Sequence, residues 1–291
     1  MAFVQRQIGV AFTLGTGNFA GGGNTANYSD LRVSARIDGP GGSLGTAQVA
    51  IWGMPMTDMN QLSLIGRLYP QVSGQNRITI TAGDANSGGA LPTVFEGIIL
   101  ASFPDLSAQP QACFHVTAQG CAAINVQKAA PNFFDAPCNV SSAMKTLAGT
   151  ANLKFQDYGV TTVLEKQYLE GTIGDQIATL AHNAGIEYSI DQGTLYIGMA
   201  KQGYGTAVTI AEGENMVSYP AFNQNQVLVT SLFNPAIRTM NKITVKSSLT
   251  AAAGDWIVNN VTHEIDSQIP KGRWFTRMSA YATGDVTASS S

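Results

Sequence analysis

Charge is what this 291-residue sequence has least of. Lys, Arg, Asp and Glu make up 12% of it, about half the ~25% of an ordinary soluble domain, and the formal net charge is −3. A chain that is not basic is a poor match for binding held by phosphate contacts, so no nucleic-acid specificity is expected. At 44% hydrophobic residues it is also too apolar for a disordered chain. Long apolar runs are missing. The most apolar windows, Phe95–Phe103 and Val227–Phe233, are strand-sized, far below the ~18 residues of a membrane span, so no span is expected. Ile8–Leu14 after Arg6 is too short an apolar run for a secretory leader. Cysteine is scarce and odd in number: Cys113, Cys121 and Cys138 fit free thiols in a reducing cytoplasm rather than a disulfide scaffold.

Glycine is plentiful, at 31 residues, and Ser, Thr, Asn and Gln must cover much of the surface that charge does not. Such a surface suits extracellular life or burial against protein partners. The length allows about two domains, each able to bury a core. Residues 1–125 read as a β domain. Leu31, Val33, Ala35 and Ile37 alternate with Arg32, Ser34 and Arg36, a period of two. Further strands are expected at 47–54, 77–82, 95–103 and 113–118, separated by Gly, Asn and Pro, with a short helix or irregular connection over 58–69. Strands without helical segments between them predict an antiparallel barrel or sandwich.

Residues 126–205 change character, and here the chain repeats itself. The segment 143–155 lines up with 176–188: Thr-Leu-Ala recurs at 146–148 and 179–181, followed by an apolar–charged–aromatic triplet. Each copy reads as a helix feeding a strand, with Leu147 and Leu180 at matching buried places. In the second copy Ile173, Ile177, Leu180, Ala181 and Ala184 form one stripe. Thr172 and Asp175 have capping-box spacing, and Gly185 and Asn152 stand where a helix stops on a left-handed residue. The copies form two small α/β lobes or one compact unit. Residues 206–283 return to strands, at 227–232, 242–246, 255–265 and 274–281, and 284–291 read as a flexible tail.

The chemistry on offer is thin. Gly15-Thr16-Gly17-Asn18-Phe19-Ala20 has dinucleotide-loop spacing, but Gly21-Gly22-Gly23-Asn24 is a poor helix to follow it, so a plain turn is expected. Cys113, His115 and Cys121 lack the CxxC pairs of structural zinc sites and read as thiols near a strand histidine. His263, Glu264, Asp266 and Asp255 offer acid–base groups, yet no GxSxG elbow or HExxH helix is present. His263 shares a strand face with Val261 and Ile265, which predicts a packed imidazole with a hydrogen-bond partner. No catalytic, cofactor-binding or metal-binding residue, and no cofactor, is therefore expected.

The C-terminal block carries a resemblance. Ser218-Tyr219-Pro220-Ala221-Phe222, then Leu232-Phe233-Asn234-Pro235-Ala236-Ile237-Arg238, then His263-Glu264-Ile265-Asp266-Ser267 and Trp274-Phe275, follow in order. This succession resembles the baseplate hub proteins of tailed bacteriophages, nearest to contractile-tail hubs of the Mu-like and late-control-D groups, with Ser218 where those have Gly. The likeness extends from Ser141 to Tyr281. It implies a mainly β chain in which two tail-tube-like antiparallel barrel domains flank the α/β region. It further implies a homotrimer at the tail axis that joins the hexameric tube, or tube-initiator proteins, to the spike and to other baseplate proteins. The implied place is the virion, after synthesis in the host cytoplasm, and the implied role is structural rather than enzymatic. Two other readings compete: a tail-associated murein hydrolase, which needs a carboxylate or Cys/His pair, and a carbohydrate-binding module. The second wants exposed aromatics on loops, whereas Trp52, Trp256 and Trp274 fall within strand patterns, as core residues would.

Overall fold

The computed structural model describes residues 5–40, 44–64, 76–126, 128–223 and 225–283. The expected tail at 284–291 and residues 65–69 of the connection at 58–69 lie outside these. The first β lobe comprises β1 (Arg6–Thr13), β2 (Thr25–Tyr28), β3 (Arg32–Asp38), β4 (Thr46–Trp52), α1 (Met56–Leu62), β5 (Arg77–Asp84), β6 (Thr93–Asp105) and β7 (Cys113–Gln119). The middle region holds β8 (Asn132–Phe134), β9 (Cys138–Asn139), α2 (Val140–Thr150), β10 (Lys154–Asp157), β11 (Val163–Leu164), β12 (Gln167–Leu169), α3 (Ile173–Ala184), β13 (Ile186–Asp191) and β14 (Thr194–Met199). The last lobe comprises β15 (Tyr204–Ala211), β16 (Ala221–Asn223), β17 (Gln226–Leu232), β18 (Asn241–Lys246), β19 (Gly254–Ser267) and β20 (Trp274–Ala282).

The chain is mainly β, as its alternating patterns require. All nine strands expected in the two β blocks form. The run Ile8–Leu14 belongs to β1 and its end, where Ile8, Val10, Phe12 and Leu14 point into the core and the residues between them do not. Most ladders are antiparallel, but β15 pairs with β18, and β10 with β14, in parallel. One sheet of 13 strands runs through both β lobes, in the order β16-β17-β20-β19-β3-β4-β7-β6-β5-β1-β2, with β15 and β18 attached beside β19. The path is open, so among the described residues no ladder closes either lobe into a barrel. Each lobe nevertheless curls. Arg6 at the head of β1 donates to the Gly272 carbonyl at 2.9 Å and stands over the Trp274 ring at 5.7 Å. In the last lobe a single bridge, Met216 to Ser231, spans from the end of β15 to β17.

Strand β19 explains how one sheet serves two lobes. At 14 residues it is long enough to take two neighbours in succession on one side. Its first part, through Ile257, pairs with β18, and its last part, from Thr262, pairs with β3, while β20 lies along its other side. Three hydrophobic cores result. One fills the first lobe around Phe12, Phe114, Ile51 and Ile80 and also takes in Ile265 and Trp274. A second lies in the middle region around Met144, Leu147, Ile177 and Leu180. The third lies under β17, β18 and β20 around Val227, Ile243 and Met278.

The repeat forms one compact unit rather than two lobes. Each copy is a helix feeding a strand, and Leu147 and Leu180 are both fully buried in the shared core. Their strands, β10 and β13, flank β14 on opposite sides and run in opposite senses. Thr172 and Asp175 make the complete capping box, the Thr172 hydroxyl oxygen accepting from the Asp175 amide at 3.1 Å and the Asp175 carboxylate accepting from the Thr172 amide at 2.9 Å. Gly185 and Asn152 take the left-handed conformation that ends each helix, at φ of 62° and 54°. Thr172→Ala is expected to cost about 1 kcal/mol of stability by removing the cap, read from urea unfolding of the whole chain.

The tryptophans depart from expectation. All three lie on strands, but only Trp274 is buried. Trp52 is half-buried under the Arg32 guanidinium, 4.5 Å from its ring, and Trp256 is half-buried with its indole N–H donating to the Ala252 carbonyl at 2.9 Å. Sheet margins bury one face of a ring and leave the other to a cation or to solvent.

Candidate functional site

Of the residues that carry the family-like pattern, Phe233–Arg238, His263 and Trp274 meet at the joint between the lobes, whereas Ser218–Phe222 lie at the β16 edge of the last lobe. Phe233 packs edge-on against both His263 and Trp274, with ring centroids at 5.4 and 4.9 Å. Asn234 forms an Asx turn, its side-chain oxygen accepting from the Ala236 amide at 3.0 Å, while its own amide donates to the Thr276 hydroxyl at 3.1 Å. Thr276 in turn contacts His263 Nδ1 at 2.9 Å. The turn delivers Ile237 into the core and Arg238 to the middle region. There Arg238 donates to Asp191 at 2.7 Å and to the Gln192 side-chain oxygen at 3.1 Å.

Asp191 and Gln192 begin the turn between β13 and β14, and they tie all three lobes together. The Gln192 side-chain amide donates to the Thr93 carbonyl of the first lobe at 2.9 Å. Gln192 and Gly193 have positive φ of 45° and 71°, as a two-residue hairpin turn between Asp191 and Thr194 requires. Burial pushes the Asp191 carboxyl up, and Arg238 offsets this in part. A second clamp joins the middle region to the last lobe: the Tyr281 hydroxyl donates to the Glu187 carboxylate at 2.8 Å. Tyr158 stacks on Tyr204 with centroids 4.4 Å apart. The cavity left between these two lobes, beside Tyr158, Tyr204 and Arg238, is about 140 Å³, small against the 300–1,000 Å³ of a substrate pocket.

His263 is buried, as the strand parity requires, and Thr276 is its partner. Burial, and secondarily the Arg238 charge, lower its pKa to about 4, so it is neutral at pH 7. Glu264 and Asp266 point to the opposite face of β19 and are bound by arginines. Arg36 and Arg277 reach Glu264 at 3.4 and 3.1 Å, and Arg273 reaches Asp266 at 3.2 Å. Hydrogen bonds from Arg273 and Ser34 outweigh burial and hold the Asp266 carboxyl below its usual range. Asp255 sits at the far end of β19, exposed, accepting from Thr244 at 2.6 Å. His263 and Asp255 are thus kept apart from Glu264 and Asp266, and these last two hold the joint between β3, β19 and β20.

The other candidates also separate. Gly15–Ala20 belongs to the β1–β2 connection, pinned by buried Phe19, whose amide donates to Gly23 at 2.8 Å, and no helix follows. Cys113 is buried against Ile51, whereas Cys121 lies half-buried near Gly193 of the middle region, and burial pushes both thiols up. His115 instead stacks on Phe103 at 5.4 Å. Among the described residues no group of three or more His, Cys, Asp or Glu could hold a metal ion. Among them, too, no helix is long and apolar enough to cross a membrane. The residues that sequence reading missed are Asp191, Gln192, Glu187 and Tyr281. The Gly193 turn was a local signal for Asp191 and Gln192 alone; Glu187 and Tyr281 lie within strands and had none.

The fold has counterparts among solved structures. It matches the prophage MuSo2 43 kDa tail protein from Shewanella oneidensis with a TM-score of 0.61 at 11% identity, covering 93% of this chain and 95% of that one. It matches the tail protein from Neisseria meningitidis MC58 at 0.66 and 10% identity, covering 96% and 97%. It also matches the Escherichia coli c3393 protein, a type VI secretion component described as similar to the phage T4 tail proteins gp27 and gp5, at 0.57 and 9% identity, covering 88% and 74%. A sequence comparison with curated proteins finds no match. The family model described as baseplate hub gp41 matches residues 43–275, which include Asp191, Gln192, Phe233–Arg238, His263 and Trp274 of the lobe joint. The chain belongs to the baseplate hub gp41 family and is a structural hub component of the phage tail baseplate.

Proposed function

We propose that three copies of this chain form a ring at the tail axis, adapting the hexameric tail tube to a trimeric spike. On this reading 1–125 and 206–283 are two tube-like barrel units, 126–205 is the α/β region between them, and two units from each of three chains present six to the tube. The observation that carries it is the single sheet through both β lobes. The β3–β19 ladder fixes the two lobes side by side with no linker to flex, as adjacent units of one ring must be. The curl of each lobe, through Arg6 in the first and the Met216–Ser231 bridge in the last, supports the barrel description. The low charge supports large permanent contacts, whose cores are depleted in charged residues. The raised, unpaired thiols are compatible with synthesis in the host cytoplasm.

The chain is read as non-enzymatic. His263 is neutral, buried and engaged by Thr276, and Glu264 is held between two arginines, so neither is placed to move a proton to a substrate. Peptidoglycan zymography of the purified chain is expected to show no clearing, and clearing lost in a folded His263→Ala variant would overturn this.

The ring is tested by mass. Native mass spectrometry or light scattering of the chain with its tail partners should give copies in multiples of three, joined by contacts above ~2,000 Å² in total. A stable monomer, together with tail particles lacking the chain, would sink the reading.

A further inference from the structure

Arg32 stands apart from the other arginines. Arg36, Arg77, Arg238, Arg273 and Arg277 each pair with a carboxylate, and Arg6 donates to the Gly272 carbonyl. Among the described arginines Arg32 alone has no hydrogen bond or ion pair to the chain; its guanidinium lies over the Trp52 ring at 4.5 Å. Its Nε is sealed from solvent and has no acceptor. The stack therefore fixes the guanidinium, and the Nη nitrogens are left with nothing in the chain to bind. Arg32 lines an open groove of about 470 Å³, within the size range of a ligand site. The β2–β3 turn at Asp30, Gly53 after β4, the β6–β7 connection at Pro110–Ala112 and the β19–β20 turn at Gln268 build it. The Gln268 side chain donates to the Asp30 carbonyl at 2.7 Å, and the Ser267 hydroxyl to the Leu31 carbonyl at 3.3 Å, which fixes two of these loops against each other. The groove is remote from the lobe joint: Arg32 opens β3, and Asp38, beside the joint, closes it roughly 20 Å away.

We propose that this groove binds a carboxylate on an extended segment of another tail protein, an Asp or Glu side chain held end-on by the two Nη nitrogens of Arg32. The unanswered charge asks for an anion, and stacking on Trp52 pre-orients the planar fork that suits a carboxylate. A phosphate fits less well, because Arg32 is the only cation lining the groove and the Asp30 carboxylate shares it. A neutral sugar leaves the charge unanswered, and Arg32 already occupies a face of the Trp52 ring. The occupant is a peptide and not a free acid for two reasons. Leu31, Pro110 and Ala112 flank the cation with apolar surface for the side chains next to the carboxylate. The exposed Gln111 side chain, which makes no hydrogen bond within the chain, is there for a peptide group. The chain's own undescribed residues do not supply the segment. Of these only Asp285 carries a carboxylate side chain. It follows the Ala282 end of β20, and three residues cannot return along a strand roughly 27 Å long to the groove. The site does not depend on the threefold reading.

Indole N–H resonances test the groove in the purified chain. Trp52→Phe identifies the Trp52 signal, and the Trp256 and Trp274 signals report an intact fold. The probe is the acetylated, amidated tripeptide Leu-Glu-Leu, compared with its Gln and phosphoserine counterparts. The Glu peptide should shift the Trp52 signal and saturate with a dissociation constant on the order of 1 mM, and the Gln peptide should not. Arg32→Gln, with the Trp256 and Trp274 signals unmoved, should weaken the Glu peptide at least about tenfold. Arg32→Lys should weaken it too, because an ammonium lacks the fork. Equal binding of the Glu and Gln peptides, unchanged binding by folded Arg32→Gln, or no shift of Trp52 with any peptide would overturn the site. Tighter binding of the phosphoserine peptide would overturn the carboxylate assignment. In phage, tails carrying Arg32→Glu should lose infectivity, and second-site revertants should place Lys or Arg for an acid in another tail protein. Wild-type infectivity, or second-site revertants found only in this chain, would overturn the partner.

Discussion

Acidification from pH 7 to pH 4 should remove about 3 kcal/mol of stability through His263 alone. In the unfolded chain this imidazole titrates near 6.5, but in the folded joint its pKa falls to about 4, chiefly because burial penalises the cation and also because Arg238 stands near. Above pH 6.5 both states carry it neutral and it contributes no pH dependence. Between 6.5 and 4 the unfolded chain binds a proton that the folded chain refuses, so stability falls steadily as pH falls. Below 4 both states are protonated and this loss is complete. The check is urea unfolding of wild type and His263→Asn across pH 4–7.5. Asn cannot titrate and keeps a hydrogen-bonding group for Thr276, while His115, His182 and the carboxylates remain in both proteins. The difference between the two curves isolates His263, and parallel curves would refute the buried neutral imidazole. At pH 7 His263→Ala should itself cost 1–3 kcal/mol, on the order expected for a cavity and an unpaired Thr276 hydroxyl.

Leu180→Ala should destabilise the middle region by about 3 kcal/mol, and Leu147→Ala by a similar amount. Both side chains are wholly buried, and they lie in a core separate from those of the β lobes. The cavity left by either change is therefore felt first within residues 138–199. Hydrogen exchange should show amides of α2, α3 and β13 losing protection while β3, β4 and β19 keep theirs. A cost under 1 kcal/mol, or loss of protection spread evenly over the chain, would contradict the separate core. The two substitutions should not be additive, because α2 packs on α3 and the two cavities can share one relaxation.

Periodicity alone determined the elements in which one side chain in two, or one in three to four, must be buried. Val33, Ala35 and Ile37 marked β3, and the Ile177–Leu180–Ala181 stripe with its Thr172 cap marked α3, because burial and capping are local demands on neighbouring residues. The buried state of His263 followed from the same parity, since Val261 and Ile265 share its face. Short strands such as β8, β11 and β16 were not legible, because two or three residues cannot show a period. What only the tertiary structure decided is where those elements go. Nothing in the sequence around Glu264 says that Arg36, more than two hundred residues earlier, is its partner, or that β19 passes from β18 to β3 along one edge. Nor could the sequence show that Arg238 reaches Asp191 and Gln192, which makes one joint of three lobes. Partner choice across such distances is set by the packing of whole sheets, a cooperative property that no window of neighbouring residues contains.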